Sequence, residues 1–367
     1  MKNDKIIYIA NYIDDECLAL RKNGAIRSEA TFNKVNCLCR HISFSGYDVT
    51  VLSPAYTNNS SFKYHPGFSV KKADFSLIYC SAIDIPVLNI LFSILSVFVT
   101  LIKLRGEYDK ILFYNYVPQT FWPALLAGIF LKKNIYLDYE DGYYALSDKS
   151  KLTRAVTNFN EFIGNFFISG ALLINEAMKK RVTANNLQLV NGIIDHNLYL
   201  KFKDGPAGTD LSGPVNITYS GAINKLKGID RFLTICEHLI NNYRDKDFII
   251  NITGKGDMEE LVRSCAAKYD GHIKYHGFLS REELIGLYKK TDVFISMQDA
   301  AHPFSEASYP SKVFDFLSTG KLVLNSFELS DRQIQDELER AINREKSIVN
   351  NKMQLNKAIN NKITIFR

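Results

Sequence analysis

Glu306 and Asp315 bring two carboxylates into one short stretch, His302 to Lys321 (HPFSEASYPSKVFDFLSTGK), which also carries the signals of a helix start and stop. Pro310 suits a first helical turn, having no N–H to leave unpaired and a φ already helical, and Gly320 suits the residue just past the end. The spacing predicts a helix from Pro310 to about Thr319. Val313, Phe314 and Leu317 fall on one face for packing, and Ser311 and Asp315, four apart, on another. Free N–H groups in the first turn, with the helix dipole, favour a phosphate or another anion. Asp315, one turn further in, suits a ribose diol, and Glu306 in the preceding loop suits a second set of hydroxyls. A sugar nucleotide has that arrangement of groups. An amphipathic helix with two solvated acids has the same spacing, and spacing alone leaves both readings open.

The elements around this stretch follow a parallel-sheet pattern, with strand-like apolar runs alternating with helical ones. The first series begins at KIIYIA and continues through a helix at Ala30 to Ile42, YDVTVLS, KILFYNY, a helix at Pro118 to Leu131, NIYLDYE, a helical stretch at Lys151 to Ile168, ALLIN and LQLVNG. In such sheets ligands gather at the carboxyl ends of strands, which singles out the loops Asn23 to Arg27 and Glu140 to Tyr144. A polar, glycine-rich run from Asp195 to Gly213 reads as a linker. The second series starts at VNITYSG, passes a loop holding Asn224, Lys225 and Lys227, and reaches DVFISM just before the acidic stretch. The expected domains are 1–200, 212–335, and a helical extension over 336–367 that packs back on the first domain.

A length of 367 residues with 46% hydrophobic content suits two domains with real cores. The formal charge of +6, from 45 basic and 39 acidic residues, is a mild excess that excludes a dedicated nucleic-acid binder and suits an anionic substrate or membrane surface. None of the six cysteines forms a CxxC pair or a zinc-ligand spacing, so reduced core thiols in a cytoplasmic protein are expected, with no metal site. The N-terminus lacks the apolar run of a signal peptide. Ile83 to Leu104 is nearly long enough to cross a bilayer, but Asn89, Ser93, Ser96 and Thr100 draw a polar stripe along it. That pattern suits a helix packed in a domain or lying on a membrane surface. The sequence argues against a dinucleotide enzyme, because ANYIDDE after the first strand has no G-x-G-x-x-G, and Gly254-Lys255-Gly256 puts Glu259 where the third glycine belongs.

Several phrases carry a resemblance. YSGAINKLKGID, ITGKGDMEELV, IKYHGFLSREELIGLYKKTDVFIS and SYPSKVFDFLSTGKLVL, with FNKVNCLCRHISFSGYDVTVLS, INEAMKKRV and LVNGIID in the first half, resemble the retaining GT-B glycosyltransferases of glycosyltransferase family 4. The resemblance implies an α/β fold of GT-B architecture, with two Rossmann-like domains facing across a cleft. It implies that Asp315 holds the donor ribose, Glu306 the hydroxyls of the donor sugar, and Lys227 the diphosphate, helped by backbone amides near Ser308, Tyr309 and Ser311. Gly24, with Arg27 nearby, resembles the glycine of the N-domain loop that approaches the phosphates, and Gly221 and Gly254 resemble those of the donor-binding loops. Three positions depart from the family. Ala222 stands where arginine is usual, with Lys225 as its candidate substitute; Asp315 stands where glutamate is commoner, nine positions after Glu306; and YEDGYY replaces a loop histidine, leaving Glu140 or Asp141 for its role.

The implied reaction moves a sugar from a UDP- or GDP-linked donor to an oligosaccharide or lipid-linked glycan, with retention and without metal or cofactor. Surface polysaccharide of the O-antigen or lipopolysaccharide type is the implied setting, at the inner face of the cytoplasmic membrane with peripheral contact. A GT-B sugar-nucleotide epimerase, and an inactive partner subunit that binds sugar nucleotides or membrane, share the same motifs.

Overall fold

A computed structural model describes residues 4–21, 25, 27–57, 61–142, 150–203, 213–299, 302, 305, 308–351, 355, 356, 358 and 362–366. The chain forms two compact units. The first comprises Met1–Ile193, Glu306–Ser308 and Asn361–Arg367, and the second Ile194–Ser305 and Tyr309–Asn360.

In the first unit the order is β1 (Lys5–Ile9), α1 (Asp15–Leu20), α2 (Glu29–Phe44), β2 (Asp48–Ser53), β3 (Tyr64–His65), β4 (Phe68–Lys71), β5 (Ser76–Tyr79), β6 (Ala82–Ile83) and α3 (Leu88–Lys103). Then come β7 (Lys110–Tyr114), α4 (Pro118–Leu131), β8 (Asn134–Tyr139), α5 (Lys151–Gly164), β9 (Ile168–Leu173) and β10 (Asn186–Leu189). Eight strands pair in the order β10-β9-β8-β7-β1-β2-β5-β4, all parallel except the edge pair β4 and β5. The connections from β5 to β7, β7 to β8 and β8 to β9 step one way along this sheet, so right-handed crossovers put α3, α4 and α5 on one face. α2 steps the other way and covers the opposite face, where Val35, Leu38 and Ile42 join Tyr8, Val51 and Tyr136 in one core. Residues that follow the second unit complete that core. Ile363, Ile365 and Phe366 are buried in it, with the Phe366 ring 5.3 Å from Tyr47 and 5.0 Å from Tyr136.

α1 lies in what the sequence presents as a polar loop. It is only six residues long, and its cap, Asp14 accepting from the Cys17 N–H at 2.8 Å, carries little periodicity to detect. α3 is shorter than the apolar run suggests and faces an unexpected way. Ser93, Val97 and Leu101 point inward, and Asn89 donates to the Thr57 carbonyl at 2.6 Å. Leu88, Leu91, Leu95 and Val99 are exposed. The polar stripe faces the domain and the apolar stripe faces solvent, the reverse of an ordinary surface helix. No described helix is long and apolar enough to cross a membrane.

The second unit comprises α6 (His196–Lys203), β11 (Val215–Ser220), α7 (Ile229–Asn242), β12 (Phe248–Thr253), α8 (Glu259–Lys268), β13 (Ile273–Tyr275), α9 (Arg281–Lys290), β14 (Val293–Ser296), α10 (Lys312–Leu317), β15 (Leu322–Asn325) and α11 (Asp331–Ile342). Its five strands pair in parallel in the order β13-β12-β11-β14-β15. Strands buried on both faces need apolar side chains throughout, which is why VFIS of β14 reads as a continuous apolar run. Part of the expected linker is α6, started by Asp195, whose carboxylate accepts from the Asn197 N–H at 2.9 Å and pairs with Arg281 at 2.7 Å. Residues 204–212 lie outside the described ones. The expected helical extension over 336–367 begins inside α11 and is interrupted after it: Ile334, Leu338 and Ile342 pack inward, and the chain then turns at Arg344, which adopts φ 58°. The core of this unit also takes Ile194, Ile342 and Ala358, all outside 212–335.

Candidate functional site

In the second unit β11 starts the sheet, β12 lies on one side of it and β14 on the other, so the strand order reverses between β11 and β14. A crevice forms at the carboxyl ends of such a pair. Lys227 and Gln298 come from the two loops that leave these strands. Lys227 ends a single 3-10 turn, Lys225–Lys227, capped by Asn224, whose side-chain oxygen accepts from the Lys227 N–H at 2.9 Å. Gly228 then turns the chain into α7 at φ 61°, and a Cβ there would sit 3.0 Å from that of Met297.

The Lys227 ammonium donates to Oε1 of the fully buried Gln298 at 2.9 Å. Nε2 of the same amide donates to the Ser305 hydroxyl at 3.1 Å. The backbone of Gln298 is held as firmly: its N–H donates to Ser326 Oγ at 2.8 Å, and its carbonyl accepts from Ser326 Oγ at 3.1 Å and Arg231 Nη1 at 3.4 Å. Arg231 is fixed by a two-pronged pair with Asp331 at 2.9 and 2.7 Å. A mobile lysine is thereby given one direction, and a hydrogen-bonded chain links it to the segment before α10.

The other expected donor-binding residues fall around this chain in different ways. Lys225 is exposed at the start of its turn. Gly221 and Gly254 have a packing reason of their own: Gly254 sits at φ 141°, and a Cβ on it would come within 1.7 Å of the Gly221 carbonyl oxygen. The loops after β11 and β12 are therefore pressed backbone to backbone. The expected helix from Pro310 to Thr319 is only the six-residue α10, bracketed by tight turns in which Val313 N–H reaches the Pro310 carbonyl and Gly320 N–H that of Leu317. So short a helix contributes little dipole, which weakens the argument for an anion at its start. Its faces are as expected. Val313, Phe314 and Leu317 are buried along with Phe316, whose ring stacks on Phe294 at 4.6 Å. Ser311 is exposed, and Asp315 faces outward to pair with Lys312 at 3.3 Å. Ser308 is buried. Tyr309 packs its ring on Phe314 and Phe327 and accepts from Asn325 Nδ2 at 3.2 Å, so its role is at least partly structural. Glu306 and Gly24 lie outside the described residues.

In the first unit Glu140 and Asp141 follow β8 at its carboxyl end. Asn115, just past β7 with φ 51°, accepts from the Glu140 and Asp141 N–H groups at 2.8 and 3.1 Å and so clamps one loop to the next. Tyr114 donates its hydroxyl proton to Glu140 at 2.8 Å and lies 3.5 Å from Asp141 Oδ2. Behind them Lys34 of α2 stands 3.4 Å from Asp138 and 3.5 Å from Glu140, and Tyr8 donates to Asp138 at 2.6 Å. Burial pushes the Glu140 carboxyl up to about 7, Lys34 opposes that, and the neighbouring Asp141 and Asp138 add to it. A carboxyl that titrates near neutrality can accept either a hydrogen bond or a proton from a hydroxyl. Arg27, also in this unit, is paired with exposed Asp15 at 2.6 Å and stacked 3.9 Å over Phe32.

Lys34, Arg231 and Gln298 are absent from the residues the sequence singles out. Lys34 lies mid-helix with no local motif. Gln298 had a usable signal, standing two residues beyond a strand whose neighbour in the sheet is followed by the loop that carries Lys227.

Residues 209–311 match the model of the family described as Glycosyl transferases group 1. No curated protein matches the sequence. Solved structures with a similar fold include sucrose-phosphate synthase from Thermosynechococcus elongatus, at 10% identity and a TM-score of 0.56 over 92% of this chain and 89% of that one. A UDP-forming α,α-trehalose-phosphate synthase from Burkholderia xenovorans gives 10% and 0.58 over 93% and 91%. The catalytic domain of starch synthase IV from Arabidopsis thaliana, bound to ADP and acarbose, gives 11% and 0.58 over 96% and 94%. The fold is thus that of GT-B proteins, with two Rossmann-like units, and the matched segment together with this likeness indicates a glycosyltransferase.

Proposed function

We propose that this chain transfers a glycosyl unit from a nucleotide-diphosphate sugar to a hydroxyl of an oligosaccharide or lipid-linked glycan, with retention, in the assembly of a surface polysaccharide. The observation that carries this reading is the Lys227 ammonium held by buried Gln298 at the strand-order reversal of the second sheet. In this reading Lys227 neutralises the diphosphate, Asp315 accepts from the ribose diol and Glu306 from the donor sugar. The bond from the anomeric carbon to the β-phosphate oxygen breaks, and its electron pair leaves with the diphosphate. The acceptor oxygen bonds to the same face of that carbon, and its proton passes to the departing phosphate oxygen. Negative charge grows on the leaving group as this proceeds, so a fixed cation lowers the barrier without a metal ion. Glu140 and Asp141 bind acceptor hydroxyls. Contact of α3 with an anionic membrane brings a lipid-linked acceptor within reach, and its exposed Leu88, Leu91, Leu95 and Val99 support that contact.

A panel of UDP-, GDP- and ADP-sugars screened by thermal shift, followed by mass spectrometry of lipid-linked oligosaccharide incubated with each stabilising donor, tests the proposal. Sugar gained by the acceptor is the expected result. Conversion of the donor to an epimer without acceptor, or stabilisation by a donor without any turnover, would replace it with an epimerase or a binding subunit.

A further inference from the structure

The outer surfaces of α4 and α5 also expose large apolar side chains. On α5 Leu152, Phe159 and Phe162, and in the turn just after it Phe166, recur at helical spacing and all face solvent, Phe162 being 61% and Phe166 70% exposed. Thr157, Asn160, Glu161 and Gly164 are turned inward. Ile129 and Phe130 continue the exposed surface on α4. Ring contacts of 6.5 Å between Trp122 and Phe159, and between Phe98 and Phe130, tie α4 to α5 and to α3. The three helices share one face of the first sheet, so these side chains form a single surface, and a contiguous apolar patch rich in aromatics marks an interaction site.

Charge identifies the partner. The only acidic residue in the three helices is Glu161, which is buried and tied to Arg181 at 2.7 Å and to the Tyr139 hydroxyl at 2.7 Å. Around the helix ends Lys103, Arg105, Lys132 and Lys151 are exposed, against Glu107 and Asp109 of opposite sign. An anionic bilayer offers apolar depth to the rings and lipid phosphates to the flanking cations, and so matches both parts of this surface.

We propose that α3, α4 and α5 together form a surface that docks on an anionic lipid bilayer, the phenylalanines of α5 entering the headgroup boundary while the flanking lysines and Arg105 meet lipid phosphates. This extends the contact suggested for α3 and stands on residues outside it. It does not depend on glycosyl transfer.

Flotation of the full chain with vesicles of phosphatidylcholine alone, and of phosphatidylcholine and phosphatidylglycerol in equal parts, tests the docking surface. Trp122 is the chain's single tryptophan and lies within the surface, so its emission reports contact directly. Flotation with the anionic vesicles, weakened by salt, with a blue shift of Trp122 and quenching by brominated lipid, is the expected result. Combining Phe162→Asp with Phe166→Asp should lower vesicle partition on the order of a hundredfold. The exposed rings leave the fold little to lose, and an unchanged melting temperature checks that. Leu91→Asp with Leu95→Asp separates the contribution of α3. The inference falls if wild type floats with neither vesicle, if the α5 variant floats as wild type does, or if light scattering finds a dimer that the α5 variant dissolves. Should the variant fail to fold, absence of quenching in wild type still overturns it.

Discussion

The Lys227 ammonium and the Gln298 amide oxygen lie 2.9 Å apart, carried by the loops that follow the two strands between which the second sheet reverses its order. The bond gives an otherwise flexible side chain a fixed direction, and the first prediction concerns its removal. Lys227→Ala should lower turnover by a factor on the order of a hundred to a thousand while changing the donor Michaelis constant much less, because the charge acts most on the leaving group. Lys227→Arg should fall between the two. Gln298→Leu should cost less than Lys227→Ala. Steady-state kinetics on the three variants decides it, and equal turnover for wild type and Lys227→Ala would remove the lysine from the mechanism.

Asp315→Ala should weaken binding of the free nucleotide diphosphate. A charge-assisted pair of hydrogen bonds to a ribose is worth about 1.5 to 3 kcal/mol, or roughly ten- to a hundredfold in affinity. Titration calorimetry on the full chain measures it. An unchanged dissociation constant would mean that Asp315 does no more than pair with Lys312.

Glu140 should leave a mark on stability against pH. Its carboxyl is raised in the folded state from the ordinary 4.5 to about 7, so between those values the folded chain holds a proton that the unfolded chain has released. Folding stability therefore falls as pH rises through that window, with its full contribution present below about 4.5 and lost above about 7. The loss is on the order of 2 to 3 kcal/mol at most, reduced by the 16% exposure of the side chain. Urea midpoints of wild type and Glu140→Gln at a series of pH values should diverge in favour of the variant as pH rises. Parallel curves would show that the carboxyl ionises normally.

Gly254→Ala should destabilise the second unit by about 3 kcal/mol or more, since the new methyl group meets the Gly221 carbonyl oxygen and the backbone is left-handed there. Thermal unfolding checks it. A loss confined to nucleotide binding, with stability intact, would mean that the loops can separate.

The regular parts of this fold were legible in the sequence because both sheets are built from apolar strands separated by periodic helices, a pattern visible without tertiary information. The faces of α10 were legible for the same reason, and its length was not, since Pro310 and Gly320 mark turns outside the helix as readily as its ends. α6 and α1 escaped because six to eight residues hold too few repeats of a helical period. The polar stripe of α3 was visible, but which face it would turn inward depends on partners such as the Thr57 carbonyl. Lys227 stood out beside its glycine, whereas Gln298 becomes significant only when β14 is known to lie next to β11.

The burial of Ile363, Ile365 and Phe366 beneath α2 sets an order on how this protein can be made. Strands β1 and β2 leave the ribosome early, but the residues that seal their core are translated only after the whole second unit. The nascent first unit must wait with an open apolar slot, available to chaperones and to misassociation with other chains. A premature stop ahead of Ile363 would spare the whole second unit and damage the part of the molecule made first.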